Sequence, residues 1–223
     1  MARGREASAL DVRSIAPVVA AISVGWVVMV VYPMRHDLMG FALSWAVMSL
    51  AMMVPTVMRP MMRIAQGKVS RAVGFALGYL AIWTALAIPA WIAVTWLPIG
   101  ALSLAVAWIA VGAYAQAPFV LKSFRSCKSL PATSHSMTAG LRQGLSCVIG
   151  CAPLMVVVMA TVMQVNAGPL VAAIVMFAVM WLMIWQKAPS TQESALRAVG
   201  VALVIGGALL GVTGDFSGHQ HMR

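Results

Sequence analysis

The stretch AVGFALGYLAIWTALAIPAWIAVTWLPIGALSLAVAWIAVGAYAQAPFVL, residues 72–121, carries no ionisable Asp, Glu, Lys, Arg or His and is bracketed by Arg71 and Lys122. A helix rises 1.5 Å per residue and needs ~20 apolar residues to cross ~30 Å of hydrocarbon. The stretch therefore holds two crossings, 72–97 and 99–121, joined by a tight turn at Leu97–Pro98. Working outward, the same reading finds apolar runs at 15–32, 39–58, 143–163, 168–185 and 196–212. Together they predict an all-α, polytopic transmembrane helix bundle of seven spans, a single domain over residues 1–223.

Basic residues fix the expected orientation. Arg3, Arg5, Arg13, then Arg59, Arg63, Lys68, Arg71, then Lys122, Arg125, Lys128, Arg142, and finally Lys187 and Arg197 all fall on alternate connections. Only Arg35 and Arg223 of the fifteen Lys and Arg residues fall on the other side. Cytoplasmic loops collect such residues, so the pattern predicts the N-terminus inside, the C-terminus outside, and a multi-pass protein of the bacterial inner membrane. The run from Ile15 to Tyr32 exceeds a cleaved signal's apolar core of ~7–15 residues, which predicts a retained first span.

Composition narrows the function. The net charge of +10 is spread over connections that face anionic headgroups, which argues against nucleic acid as a partner. All five acidic residues, Glu6, Asp11, Asp37, Glu193 and Asp215, sit at termini or in connections, as do His36, His135, His219 and His221. A chain with no acid or histidine inside its spans lacks the usual proton relay of a coupled transporter, haem ligation at mid-membrane, and a buried Ser/His or aspartyl protease pair. With three cysteines, of which Cys147 and Cys151 lie within a span, a disulfide framework is also excluded.

What the spans do contain is sulfur. The second carries Met48, Met52 and Met53 ahead of Pro55, with Met58, Met61 and Met62 beyond it. The fifth carries Cys147 and Cys151, then Met155, Met159 and Met163. Residues four apart share a helix face, so Cys147, Cys151 and Met155 form one stripe. Met52 and Met53 are expected at a similar depth, and soft thiolate and thioether donors select Cu(I) over hard cations. Met is also ordinary flexible filler in helix bundles, and Cys a small packing residue. A second candidate set lies on the outer side: Met34 and His36, with Asp37 and Met39 beside them, and His219 and His221 with Met222 in the tail. Cys127 and His135 in the longest inner connection, Lys122 to Gly140, form a third.

Pro55, Pro89 and Pro153 are expected to kink their helices, and Gly74 with Gly78 and Gly207 with Gly211 to let helices approach closely. Ser190 followed by Glu193 reads as a capping box opening the last helix.

Three segments carry a family resemblance: Ala51-Met52-Met53-Val54-Pro55, Tyr114 through Lys122 leading to Cys127, Lys128 and Pro131, and Gly144 through Met155, GLSCVIGCAPLM. Asn166 and Lys187 continue it. The chain resembles a bacterial family of integral membrane proteins catalogued as predicted metal-binding and as a domain of unknown function. The resemblance implies a membrane protein that binds a metal, with no reaction attached. The chain departs from that pattern at Ala152, Pro153 and Ser123, where the family carries cysteine, tryptophan and cysteine.

The leading expectation is thus a non-enzymatic membrane protein that binds or hands on a soft metal, with copper as its cargo. The internal ligands are Cys147, Cys151, Met52, Met53 and Met155, and a copper enzyme is one partner it would serve. The alternatives are an accessory or scaffolding subunit packed against another membrane complex, and a carrier of a small apolar substrate without ion coupling.

Overall fold

A computed structural model describes residues 12–31, 37–96, 101–126, 135–164, 169–187 and 193–213. These residues are all-helical, without strand. After a 3-10 turn at Val12–Ile15 come α1 (Ala16–Val31), α2 (Leu38–Met48), α3 (Met58–Ala65), α4 (Val69–Ala85) and α5 (Ala87–Trp96). They are followed by α6 (Ala101–Ala115), α7 (Pro118–Ser126), α8 (Ser136–Gln164), α9 (Pro169–Gln186) and α10 (Glu193–Thr213). Helix occupies each of the seven apolar stretches. Three stretches of the described chain, Leu38–Ala65, Val69–Thr95 and Ser136–Val162, are long and apolar enough to cross a membrane, and Ala16–Val31, Leu102–Ala115 and Leu170–Gln186 are shorter apolar helices.

Proline accounts for most of the interruptions. Between α2 and α3 the backbone widens to a π-turn at Ser49–Met53 and tightens to a 3-10 turn at Pro55–Val57. Pro55 has no N–H to bond back into the preceding turn, and a π-turn is a common way to absorb that loss. The Thr56 hydroxyl donates to the Met53 carbonyl at 2.7 Å, satisfying a group that the irregular backbone frees. Pro118 starts α7 and disfavours helix in the residue before it, so the expected fourth span is divided at Gln116–Ala117. The third divides at Leu86, one turn ahead of Pro89. Pro153, by contrast, lies inside the unbroken α8.

Two other expectations change. The inner connection Lys122–Gly140 is shorter than read, because α7 continues to Ser126 and α8 begins at Ser136. Ser136 to Gly140 are helical since they pack on α4, a tertiary cause with no local signature. Asp37 is a helix cap: its carboxylate accepts from the Gly40 N–H at 3.0 Å, the ordinary N-cap arrangement.

Glycine sets how the helices meet. A Cβ on Gly78 would lie 2.2 Å from the Met137 carbonyl oxygen, and one on Gly140 would lie 2.1 Å from that of Phe75. α4 and α8 therefore touch backbone to backbone, as small residues permit in membrane bundles. Gly74 meets Ser136, Gly78 meets Met137 and Leu141, and Gly144 meets Tyr79 and Ile82, so the two helices run parallel. α6 and α10 pair antiparallel through Gly112, which abuts Gly200 and Val204, while Gly207 abuts Ala105 and Ile109. Gly207 thus works with Gly112 and Gly200 in this contact.

The surface is apolar to an unusual degree: Val24, Val27, Leu43, Leu77, Ile88, Leu102, Ile174, Trp181, Ile205 and Leu209 are all exposed. Inside, Trp45, Trp83, Tyr79, Phe41 and Phe75 form an aromatic core, and the Trp45 indole N–H donates to the Trp83 carbonyl at 2.7 Å.

Candidate metal centre

On α8 the residues Gly140, Gly144, Cys147 and Cys151 recur at spacings of four, three and four, which keeps them on one face. The glycines bring α4 close, and the face then changes from glycine to sulfur. Tyr79, on the α4 turn that the glycines hold down, is consequently aimed at the first cysteine. Its hydroxyl donates to Cys147 Sγ at 3.0 Å, in a fully buried setting. Cys147 Sγ and Cys151 Sγ are 3.9 Å apart, and both side chains are buried.

A cation completes the group. Lys187, directly after α9, sends its Nζ to within 2.8 Å of Cys147 Sγ and 2.7 Å of Thr56 Oγ1. Thr56 bonds in turn to the Met53 carbonyl, so four segments converge: the Pro55 turn, α4, α8 and the end of α9. In this arrangement the sulfur of Cys147 is the hydrogen-bond acceptor for a phenol and an ammonium. A charge-assisted contact of that kind is stronger than a neutral one. α7 braces the same turn from outside, since the Ser123 hydroxyl donates to the Ser146 carbonyl next to Cys147.

The structure places the expected ligands unevenly. Cys147 and Cys151 come together, and Met52, Met53 and Met155 are fully buried in the same core, none turned outward. Met34, His36, His219, His221 and Met222 lie outside the described residues, as do Cys127, Asn166 and Ser190. Met39 is exposed, and so is His135, which stands just before α8 and twelve residues from Cys147, about 18 Å along the helix. Among the described residues no three of His, Cys, Asp and Glu gather as a metal-holding group. A soft-metal site here would therefore draw on the cysteine pair and on the buried thioethers.

Lys187, Tyr79 and Thr56 escaped the sequence reading. Lys187 counted only as an orientation signal and as part of the resemblance, although α9 carried a usable sign. Met176, Met180, Met183 and Lys187 follow at four, three and four, one face, and the three methionines are buried. A third sulfur stripe thus ends on the lysine that touches Cys147.

The donor chemistry fits a soft ion. Two sulfurs 3.9 Å apart are spanned by two metal–thiolate bonds of ~2.3 Å each, meeting at an open angle. The thioethers buried in the same core are neutral, polarisable donors of the kind that favours Cu(I). A family model described as PpoB2, copper chaperone, matches residues 42–210. The chain belongs to this copper chaperone family. The matched region begins in α2 and ends in α10, so it contains every residue of the cluster. Membership supports a copper-related, non-catalytic role and agrees with the metal-binding sense of the resemblance. No curated protein and no solved structure matches the chain.

Proposed function

We propose that this member of the copper chaperone family is an integral membrane protein that holds Cu(I) between Cys147 and Cys151. The thioethers of Met52, Met53 and Met155 complete the donor set. It passes the ion to a copper-requiring partner and performs no chemistry on it. The observation that carries this reading is the buried cysteine pair, 3.9 Å between sulfurs, with Tyr79 and Lys187 fixed on Cys147. Thiolate is the metal-ligating form of cysteine, and donors that point at sulfur orient a ligand before the metal arrives.

The membrane setting has its own support. Three long apolar helices, an exposed apolar surface and the alternation of basic connections favour seven spans in the bacterial inner membrane, N-terminus inside. The parallel run of α4 and α8 agrees, since the third and fifth spans of such a chain cross in the same direction. The antiparallel run of α6 and α10 agrees too, since the fourth and seventh cross oppositely. Met34, His36, His219 and His221 then belong to the outer face, where mixed His and Met donors would receive copper in either redox state.

The test is metal content. Protein purified in detergent and loaded with Cu(I) under reducing conditions should retain about one ion per chain, the capacity of a single donor set of this kind. Cys147→Ser combined with Cys151→Ser should abolish that retention. Wild-type protein that binds no copper yet purifies in a stable metal-free complex would overturn the proposal in favour of the scaffolding role.

A further inference from the structure

Lys187 is an odd neighbour for a site that takes up a cation. Its ammonium lies 2.8 Å from Cys147 Sγ and 2.7 Å from Thr56 Oγ1, and its backbone N–H closes the last turn of α9 on the Met183 carbonyl at 3.2 Å. The positive charge is therefore set directly beside Cys147. A thiolate sulfur has lone pairs enough for a metal together with both hydrogen-bond donors, so the ion need not evict Lys187.

We propose that Lys187 sets the metal preference of this site, its fixed positive charge favouring a monovalent soft cation and opposing a divalent one. The inference rests on the copper-binding reading above. Two ligating thiolates and a monovalent ion carry a net charge of minus one, and the partly buried ammonium brings the assembly to zero. With a divalent ion the thiolates are already neutralised, and the ammonium leaves the assembly at plus one. Methionine ligands do not alter this balance, because thioethers are uncharged. Net charge in a low-dielectric interior is costly and poorly screened, so a difference of one charge beside the metal becomes discrimination between ions. Softness alone prefers Cu(I) to Zn(II) at sulfur; Lys187 adds a separate penalty on charge.

The experiment compares Cu(I), Ag(I) and Zn(II) on the full chain in detergent, with affinities from competition against chromophoric chelators. Wild-type protein should retain Cu(I) and Ag(I) through gel filtration and lose Zn(II). Lys187→Met should weaken Cu(I), strengthen Zn(II), and shrink the ratio of the two affinities by at least about tenfold, the scale expected of one nearby charge. Lys187→Arg, which restores charge, should restore the ratio; a merely structural role for the side chain would not separate the ions this way. Wild-type protein that holds Zn(II) as firmly as Cu(I) overturns the inference even if Lys187→Met does not fold. So does an unchanged ratio in a folded Lys187→Met that still binds one Cu(I), an outcome that leaves the copper reading intact. A wild-type chain that binds none of the three ions removes the copper reading and this inference with it.

Discussion

Lys187 Nζ stands 2.8 Å from Cys147 Sγ across forty positions of sequence, a contact between the end of α9 and the middle of α8. It joins two stripes that each follow helical spacing: glycine and cysteine on α8, methionine and lysine on α9. Where they meet, a chain without acid or histidine in its apolar stretches acquires an organised polar centre. That centre generates most of the expectations below.

Removing the phenol is the mildest test of it. Tyr79→Phe deletes the 3.0 Å hydrogen bond to Cys147 while keeping the ring that packs near Trp83. The loss should lower stability by about 0.5–1.5 kcal/mol, the net worth of one buried hydrogen bond, read as a lower Tm in detergent. Cu(I) should still bind, with faster release. An unchanged release rate would show that Tyr79 contributes packing alone.

The helix contact that delivers Tyr79 should be far less tolerant. Gly78→Val puts a branched side chain where even a Cβ lies 2.2 Å from the Met137 carbonyl. Forcing α4 from α8 should cost about 1–3 kcal/mol or more and uncouple copper binding from the cysteines. Gly206→Ala is the matched control, because a Cβ there meets nothing within 4 Å. Equal Tm losses for the two variants would refute the close approach.

Thioether ligation separates from packing by isosteric exchange. Met52→Leu, Met53→Leu and Met155→Leu conserve volume in fully buried positions, so each should cost less than about 1.5 kcal/mol in stability. Cu(I) affinity in the triple variant should nevertheless fall roughly ten- to hundredfold, the scale seen when groups supporting a bound metal are lost. Retained affinity would confine the site to the cysteine pair.

Topology is open to direct measurement. Reporter fusions after Gly67 and Lys128 should be active only as cytoplasmic reporters, and fusions after Pro98, Gln164 and Arg223 only as exported ones. Membranes washed at alkaline pH should keep the full-length chain. Reporter activity on the same side for Gly67 and Pro98 would remove the third span.

Much of the helical layout was readable directly. Each apolar stretch is helix, and the breaks at Pro55 and ahead of Pro89 fall where prolines were expected to act, whereas the break at Pro118 was not anticipated and Pro153 lies within a continuous helix. Cys147 and Cys151 share a face because four-residue spacing guarantees it. The capping role of Asp37 went unread, since the residue was grouped with the outer His and Met donors, although a carboxylate just ahead of an apolar helix is an N-cap signal. The early start of α8 was not legible: Ser136 to Gly140 hold their helix by packing on α4, and nothing within those five residues announces it.

The amino-acid order alone determined the helical class, the placement of the apolar stretches, the expected sidedness and the sulfur stripe on α8, because each depends on hydropathy or spacing within one segment. Only the tertiary structure decided which stripes meet. Gly78 and Gly140 bring α4 onto α8, and Lys187 reaches Cys147 and Thr56 from a helix distant in sequence. The physical reason is that helical period is a local property. Which faces touch depends on how closely separate backbones approach, and on where a partly buried charge finds its partners.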